Sequence, residues 1–175
     1  MIEFESVTKK YPSGQTALDD VSLKIENGEF VFLVGPSGAG KSTLLKLITR
    51  EILPSSGRIL FNGEDIFRLP KKKVPMLRRR IGTVFQDFKL LLTRTVFENV
   101  AVPLQVMNLK DAQIAKEVLE VLEKVGLSDK ANSFPLELSG GEVQRTSIAR
   151  AIIAKPEVLL ADEPTGDLDP ENARE

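Results

Sequence analysis

Gly35-Pro36-Ser37-Gly38-Ala39-Gly40-Lys41-Ser42 decides the fold. Its glycines let the backbone curl until successive N–H groups point inward at one anion, a conformation that a Cβ blocks. A helix beginning near Lys41 turns its positive end toward the same anion. Lys41 adds a mobile cation for outer phosphates, and Ser42 offers a hydroxyl to Mg²⁺. The octapeptide fits G-x-x-x-x-G-K-[ST], a phosphate-binding loop, when a strand precedes it and a helix follows. Both flanks are met. Phe30 to Val34 is a continuous apolar run, so Glu29 to Val34 is expected to be a strand covered on both faces. Leu44, Leu45, Leu47 and Ile48 line a helix expected from Lys41 to Arg50. The bland alternative, a glycine turn between strand and helix, explains neither the lysine nor the serine. Gly35, Pro36, Ser37, Gly38, Ala39, Gly40, Lys41, Ser42 and the adjoining Thr43 are therefore expected to bind nucleotide.

Outward from the loop, the first 28 residues alternate. Ile2 and Phe4, then Val21, Leu23 and Ile25, read as strands half-buried on one face, with Asn27-Gly28 as a turn. Arg58 to Phe61, ending at Asn62-Gly63, and Ile81 to Phe85 read as further strands. Past Lys110 the period changes: Ile114, Val118, Val121, Leu122 and Val125 form a helical stripe that Gly126 can cap. That stripe suits core packing, or the lining of a groove for a partner's helix. Another helix should run from Glu142 to about Ala154, followed by a buried strand from Glu157 to Ala161. The pattern predicts one α/β domain over residues 1–175, with an antiparallel β portion at its amino end. A helical subdomain over about 87–155 is expected between the phosphate loop and the strand at 157–163.

That last strand ends in Asp162-Glu163. Adjacent residues on a strand point to opposite faces, so the two carboxylates need not share a role. Asp162 can hold Mg²⁺ as the acidic partner of Ser42, and Glu163 can orient or deprotonate a water attacking the terminal phosphate. Ser139-Gly140-Gly141-Glu142 has two readings of equal weight. Ser139 and Glu142 have the spacing of a helix capping box, while the glycines leave a bare helix end that can approach a second anion.

Composition narrows the rest. The chain has 175 residues, 42% hydrophobic and 28% charged, which is a globular balance. Net charge is −1, so no global field draws it to nucleic acid or an anionic surface. No apolar run approaches the roughly 20 residues of a membrane span, and no direct insertion is expected. Without cysteine or histidine there is no disulfide, no thiolate chemistry and no imidazole base. Lys71-Lys72-Lys73 and Arg78-Arg79-Arg80 form a basic cluster. It reads better as solvated surface than as a lipid contact, and with no interleaved aromatics it does not suit nucleic acid.

GPSGAGKS, LSGGE and VLLADE, in that order, closely resemble the nucleotide-binding subunit of ABC ATPases, and the likeness covers essentially the whole chain. The resemblance implies an ABC-type phosphate-loop NTPase core. It implies that Tyr11 stacks on adenine, that Gln86 senses Mg²⁺ and the γ-phosphate, and that Asp169 lies at a dimer interface. It implies a homodimer around two ATP molecules, each γ-phosphate held by one copy's phosphate loop and the other copy's Ser139, Gly140 and Gly141. Glu142 stands where many members have glutamine, and Asp167 where relatives usually have asparagine. VFQDFKLLLTRTVFENVAVPL, ADEPTGDLD and VPMLRRRIG are most similar to the bacterial cell-division branch. Members of lipoprotein-release and macrolide-export systems share the ADEPTG stretch. The branch implies an integral membrane partner and a peripheral place on the cytoplasmic face of the inner membrane. DNA-repair members insert long coiled coils between the two loops, and no sustained heptads occur here. Family chains continue past the acidic strand with another core strand and a γ-phosphate-contacting histidine. These 175 residues contain no histidine, so they are expected to be the larger part of a longer ATPase, weak in hydrolysis by themselves. The alternatives are the ATPase of a lipoprotein-release or macrolide-export type transporter and, in a different class, a non-catalytic ATP-dependent scaffold.

Overall fold

Alternation at the amino end becomes an antiparallel ladder. Strand β1 (Ile2–Lys10) pairs with β2 (Thr16–Ile25), setting Ile2 opposite Ile25, Phe4 opposite Leu23 and Val7 opposite Val21. On its other edge β1 pairs antiparallel with β3 (Ser56–Phe61), which turns into β4 (Glu64–Asp65), giving the order β2-β1-β3-β4. Asn62 and Gly63 make that turn with φ of 51° and 82°, the mirror-image geometry a two-residue hairpin prefers. Between Glu5 and Thr8 the β1–β3 register shifts, and Ser6 is left-handed. Gly57 faces this bulge, where a Cβ would sit 2.3 Å from the Ser6 carbonyl oxygen. Ile2, Phe4, Val7, Ile59 and Phe61 are buried from this sheet, as are Leu44, Leu47 and Ile48 from helix α1 (Lys41–Ile48), which packs beside β2. The computed structural model describes residues 1–163, and everything above lies in the first of two units, Met1–Arg78.

The strand expected over Glu29 to Val34 is not formed. These residues are irregular, with Phe30 83% and Val34 93% exposed, and Phe30 meets Phe32 edge to face at 4.9 Å. A continuous apolar run declares a need for cover on both faces, but a strand also needs a neighbouring backbone to complete its ladder. Among the described pairings no segment supplies one.

In the second unit, which begins at Arg79, β5 (Ile81–Val84) runs parallel to β6 (Val158–Ala161), with Ile81 opposite Val158 and Val84 opposite Ala161. The strand expected to be buried is buried only at Leu160; Leu159 is 50% exposed. Its alternate side chains diverge, and among the described residues β6 has a ladder on one edge alone. Helices α3 (Val96–Val106), α4 (Asp111–Lys124) and α5 (Gly140–Ile152) pack around a core of Val96, Val100, Leu104, Val118, Leu122 and Ala149. Of the anticipated stripe, Ile114, Val118 and Leu122 are buried on α4, while Val121 and Val125 are half-buried. Gly126, at φ 67°, closes that helix: its N–H reaches the Glu123 carbonyl, and the Leu127 N–H reaches Leu122.

The sequence pattern missed α3. Its buried face is Val96, Asn99, Val100, Ala101 and Leu104, but further apolar residues at Phe97, Val102 and Val106 off that face blur the period, and Pro103 lies inside it. The available signal was Thr95-x-x-Glu98, which forms a complete capping box. The basic cluster divides by role. Arg78, on the short helix α2 (Val74–Arg79), donates to the Thr49 and Arg50 carbonyls, and Arg79 donates to Val106. Arg80 makes a bidentate pair with Glu157, while Lys71 to Lys73 are exposed on one 3₁₀ turn.

Candidate nucleotide site

Gly38 and Gly40 both adopt positive φ, 81° and 88°. An alanine at Gly40 would be left-handed and would also set its Cβ 2.3 Å from the Ala17 carbonyl oxygen of β2. Gly40 caps α1 without any side-chain hydrogen bond, and no acidic residue occupies the first turn. The first turn of the helix thus carries no carboxylate of its own to repel an anion at its amino end. Lys41 folds back across the loop, its ammonium donating to the Gly35 carbonyl at 3.0 Å and the Pro36 carbonyl at 3.3 Å. Tyr11 is held next to the same helix: its hydroxyl is 3.2 Å from the Thr43 hydroxyl, and the Lys9 ammonium lies 5.2 Å from its ring centre. The first unit therefore gathers Tyr11, Lys41, Ser42 and Thr43 around one turn of backbone.

The second unit gathers the remaining carboxylate and amide groups. Because Val84 is paired with Ala161, Gln86 and Asp162-Glu163 emerge at the same carboxyl end of the same two parallel strands, the end where α/β sheets place ligands. The Asp162 N–H extends the ladder to the Val84 carbonyl at 3.1 Å, and Glu163 is left-handed at φ 47°. After Gln86 the chain turns through Phe88 and Lys89, both left-handed. Arg150 of α5 donates to both carbonyls, at 2.6 and 2.8 Å, and Ser147 reaches Phe88 at 3.4 Å. Burial lowers the pKa of the Arg150 guanidinium. Asn99, fully buried on α3, ties Leu91 by its N–H and carbonyl alike.

At the start of α5 the capping box is real. Glu142 accepts from the Ser139 N–H at 2.8 Å and from the Ser139 hydroxyl at 2.9 Å, and Lys130 lies 3.4 Å from its other oxygen. The backbone N–H, then the hydroxyl, then the lysine hold the Glu142 carboxyl below its usual value of 4.5. Ser139 and Gly140 are exposed. Asp169 and Asp167 lie outside the described residues. Among the described residues no group of three or more His, Cys, Asp or Glu side chains is placed to hold a metal ion. Sequence reasoning missed Arg150, Ser147, Asn99 and Lys130, whose partners are carbonyls or a carboxylate brought near by folding.

These features define a class. The family model described as "ABC transporter" matches residues 18–166, and the chain belongs to that family as an ATP-binding cassette, an ATPase. The fold agrees. A dimeric bacterial ABC transporter cassette, MJ0796, superposes with a TM-score of 0.89 at 39% identity, covering 99% of this chain and 78% of that one. A post-hydrolysis dimer of the same cassette, bound to ADP and Pi, superposes equally well at 38% identity. Among particular relatives, the cell division ATP-binding protein FtsE of Bacillus subtilis is 55% identical over 175 residues, spanning all of this chain and 77% of the relative. FtsE of Escherichia coli K12 is 56% identical over 169 residues, with 97% and 76% covered. FtsE of Mycobacterium tuberculosis is 53% identical over 176 residues, with 100% and 76% covered. No described helix is long and apolar enough to cross a membrane.

Proposed function

We propose that two copies of this chain close around two ATP molecules, and that hydrolysis reopens them to drive an integral membrane partner in bacterial cell division. The partner is of the FtsX kind, and the complex lies at the cytoplasmic face of the inner membrane. This follows the 51–56% identity to proteins named FtsE. In this reading the Gly35–Ser42 loop and Lys41 bind the phosphates of one ATP, with Tyr11 against its adenine. Ser139, Gly140 and Gly141 of the other copy complete the shell, and Asp169 contributes at the interface. Ser42, Gln86 and Asp162 would hold Mg²⁺, which when bound supplies positive charge against the phosphate oxygens.

Glu163 orients the attacking water and accepts its proton as the water oxygen bonds to the γ-phosphorus and ADP leaves. The observation that carries the reading is the left-handed turn of backbone that opens α1. Gly40 is left-handed there, no first-turn acid competes, and Lys41 spans the loop.

The test uses the full-length protein. Glu163→Gln should trap an ATP-bound dimer with turnover down about 10²–10⁴-fold, the usual contribution of an oriented general base. Parental turnover in that variant overturns the role of Glu163. Lys41→Ala should remove most ATP affinity, and calorimetry showing unchanged binding overturns the loop assignment.

A further inference from the structure

We propose that Arg150 is a positioning residue of the ATPase reaction, fixing the turn that follows Gln86 to helix α5. It rests on the reading above, in which Gln86 and the first turn of α5 both attend a γ-phosphate. Phe88 and Lys89 are two consecutive non-glycine residues in the left-handed region, φ 53° and 47°. Such backbone persists only where its surroundings hold it. Here the hold is a guanidinium fork. Arg150 donates through Nη2 to the Phe88 carbonyl at 2.6 Å and through Nη1 to the Lys89 carbonyl at 2.8 Å. Ser147 lies one turn earlier on the same face of α5 and adds a bond to Phe88. Two residues further along, Asn99 pins Leu91 to α3. The segment from Phe88 to Leu91 is thus anchored to two helices, with exposed Gln86 and Asp87 immediately before it.

Ser139 and Arg150 are near opposite ends of α5, about 16 Å apart at 1.5 Å per residue. A 13-residue helix with a capped first turn moves as a rod on that scale. Any displacement of Ser139, Gly140 and Gly141 as they engage triphosphate therefore reaches the Phe88–Lys89 turn through two hydrogen bonds, and Gln86 with it. A planar fork holds two adjacent carbonyls in one fixed geometry; an ammonium on a flexible stem can reach such a pair, as Lys41 does, but does not fix their orientation. Arg150 touches no substrate in this account. It acts through Gln86.

Arg150→Lys in the full-length protein is the decisive variant, because it keeps the charge and the aliphatic stem and loses only the fork. Its kcat for ATP hydrolysis should fall about 10- to 100-fold, as when a reacting group is misplaced by about 1 Å. Its KM for ATP should stay within about twofold of the parent. Hydrogen exchange of amides 86–91 should be slowed by ATP in the parent and not in the variant. Parental kcat with ATP protection retained overturns the proposal, as does a loss of kcat and KM in step with lowered thermal stability. Glu163→Gln examined alongside separates the two levels. If it forms no ATP-dependent dimer, the underlying reading fails. If it does and Arg150→Lys behaves as parent, only the positioning role fails.

Discussion

Removing the Asn99 side chain should release the loop that leads into α3, and the cost can be worked from the bonds it makes. Asn99 is 0% exposed. Its Oδ1 accepts from the Leu91 N–H at 2.8 Å, and its Nδ2 faces the carbonyls of Leu91, Arg94 and Thr95, each at 3.0 Å. Two amide hydrogens cannot serve three acceptors fully. The Thr95 carbonyl already receives the Asn99 backbone N–H at 2.9 Å, so its loss counts least. Three effective bonds remain, at about 1 kcal/mol net each. Leu91 is 45% exposed, so water can reach the freed groups and no full desolvation penalty is added. Asn99→Ala should thus lower unfolding free energy by about 3 kcal/mol, measured by urea denaturation of the full-length protein with the slope unchanged. Asn99→Asp sharpens the test. It keeps the acceptor for Leu91 but sets a second oxygen against the carbonyls, so at neutral pH it should be less stable than alanine. Protonation restores a donor, which raises the folded carboxyl's pKa above its unfolded value. That contribution is present at low pH and lost as pH rises, so the aspartate deficit should shrink on acidification. A loss below about 1 kcal/mol for Asn99→Ala, or an aspartate variant as stable as parent at pH 7, refutes the bond count.

Glu142→Gln keeps the capping box, since glutamine serves at that position, but removes a carboxyl held below 4.5 by Ser139 and Lys130. A depressed carboxyl contributes stability above its unfolded pKa and loses it as pH falls through the folded one. The variant should therefore show a shallower loss of stability below pH 4.5 than parent, read from denaturation midpoints across that range; parallel profiles would count against the arrangement. Gly57→Ala should destabilise the antiparallel sheet by more than about 1 kcal/mol. It demands both a left-handed alanine at φ 82° and a shift of the Ser6 carbonyl, 2.3 Å from the new Cβ. Thermal unfolding within 1 °C of parent would contradict this packing.

Legibility in the sequence followed the range of the interaction. Ile2, Phe4, Val21, Leu23 and Ile25 announced a two-sided pattern, and the ladder pairs Ile2 with Ile25 and Phe4 with Leu23. The α4 stripe and its Gly126 cap depend on residues within one or two turns, and both were readable. Helix α3 was not, because apolar Phe97, Val102 and Val106 outside its buried face, together with Pro103, blur the helical period. Glu29 to Val34 misled for the opposite reason: its side chains describe a desire for burial, while its backbone has no ladder in the described residues.

Motifs whose chemistry lies within a few consecutive residues were determined by the sequence alone: the phosphate loop, the Ser139–Glu142 box and the Asp162-Glu163 pair. Glycine conformations, helix ends and strand ends are local physics, and eight contiguous residues suffice to state them. The tertiary structure alone decided that Gln86 and the carboxylates share one strand end, because the Val84–Ala161 pairing joins segments far apart in the chain. It alone decided that Arg150 and Asn99 grip the turn between them, since carbonyl oxygens belong to every residue and carry no mark in the sequence.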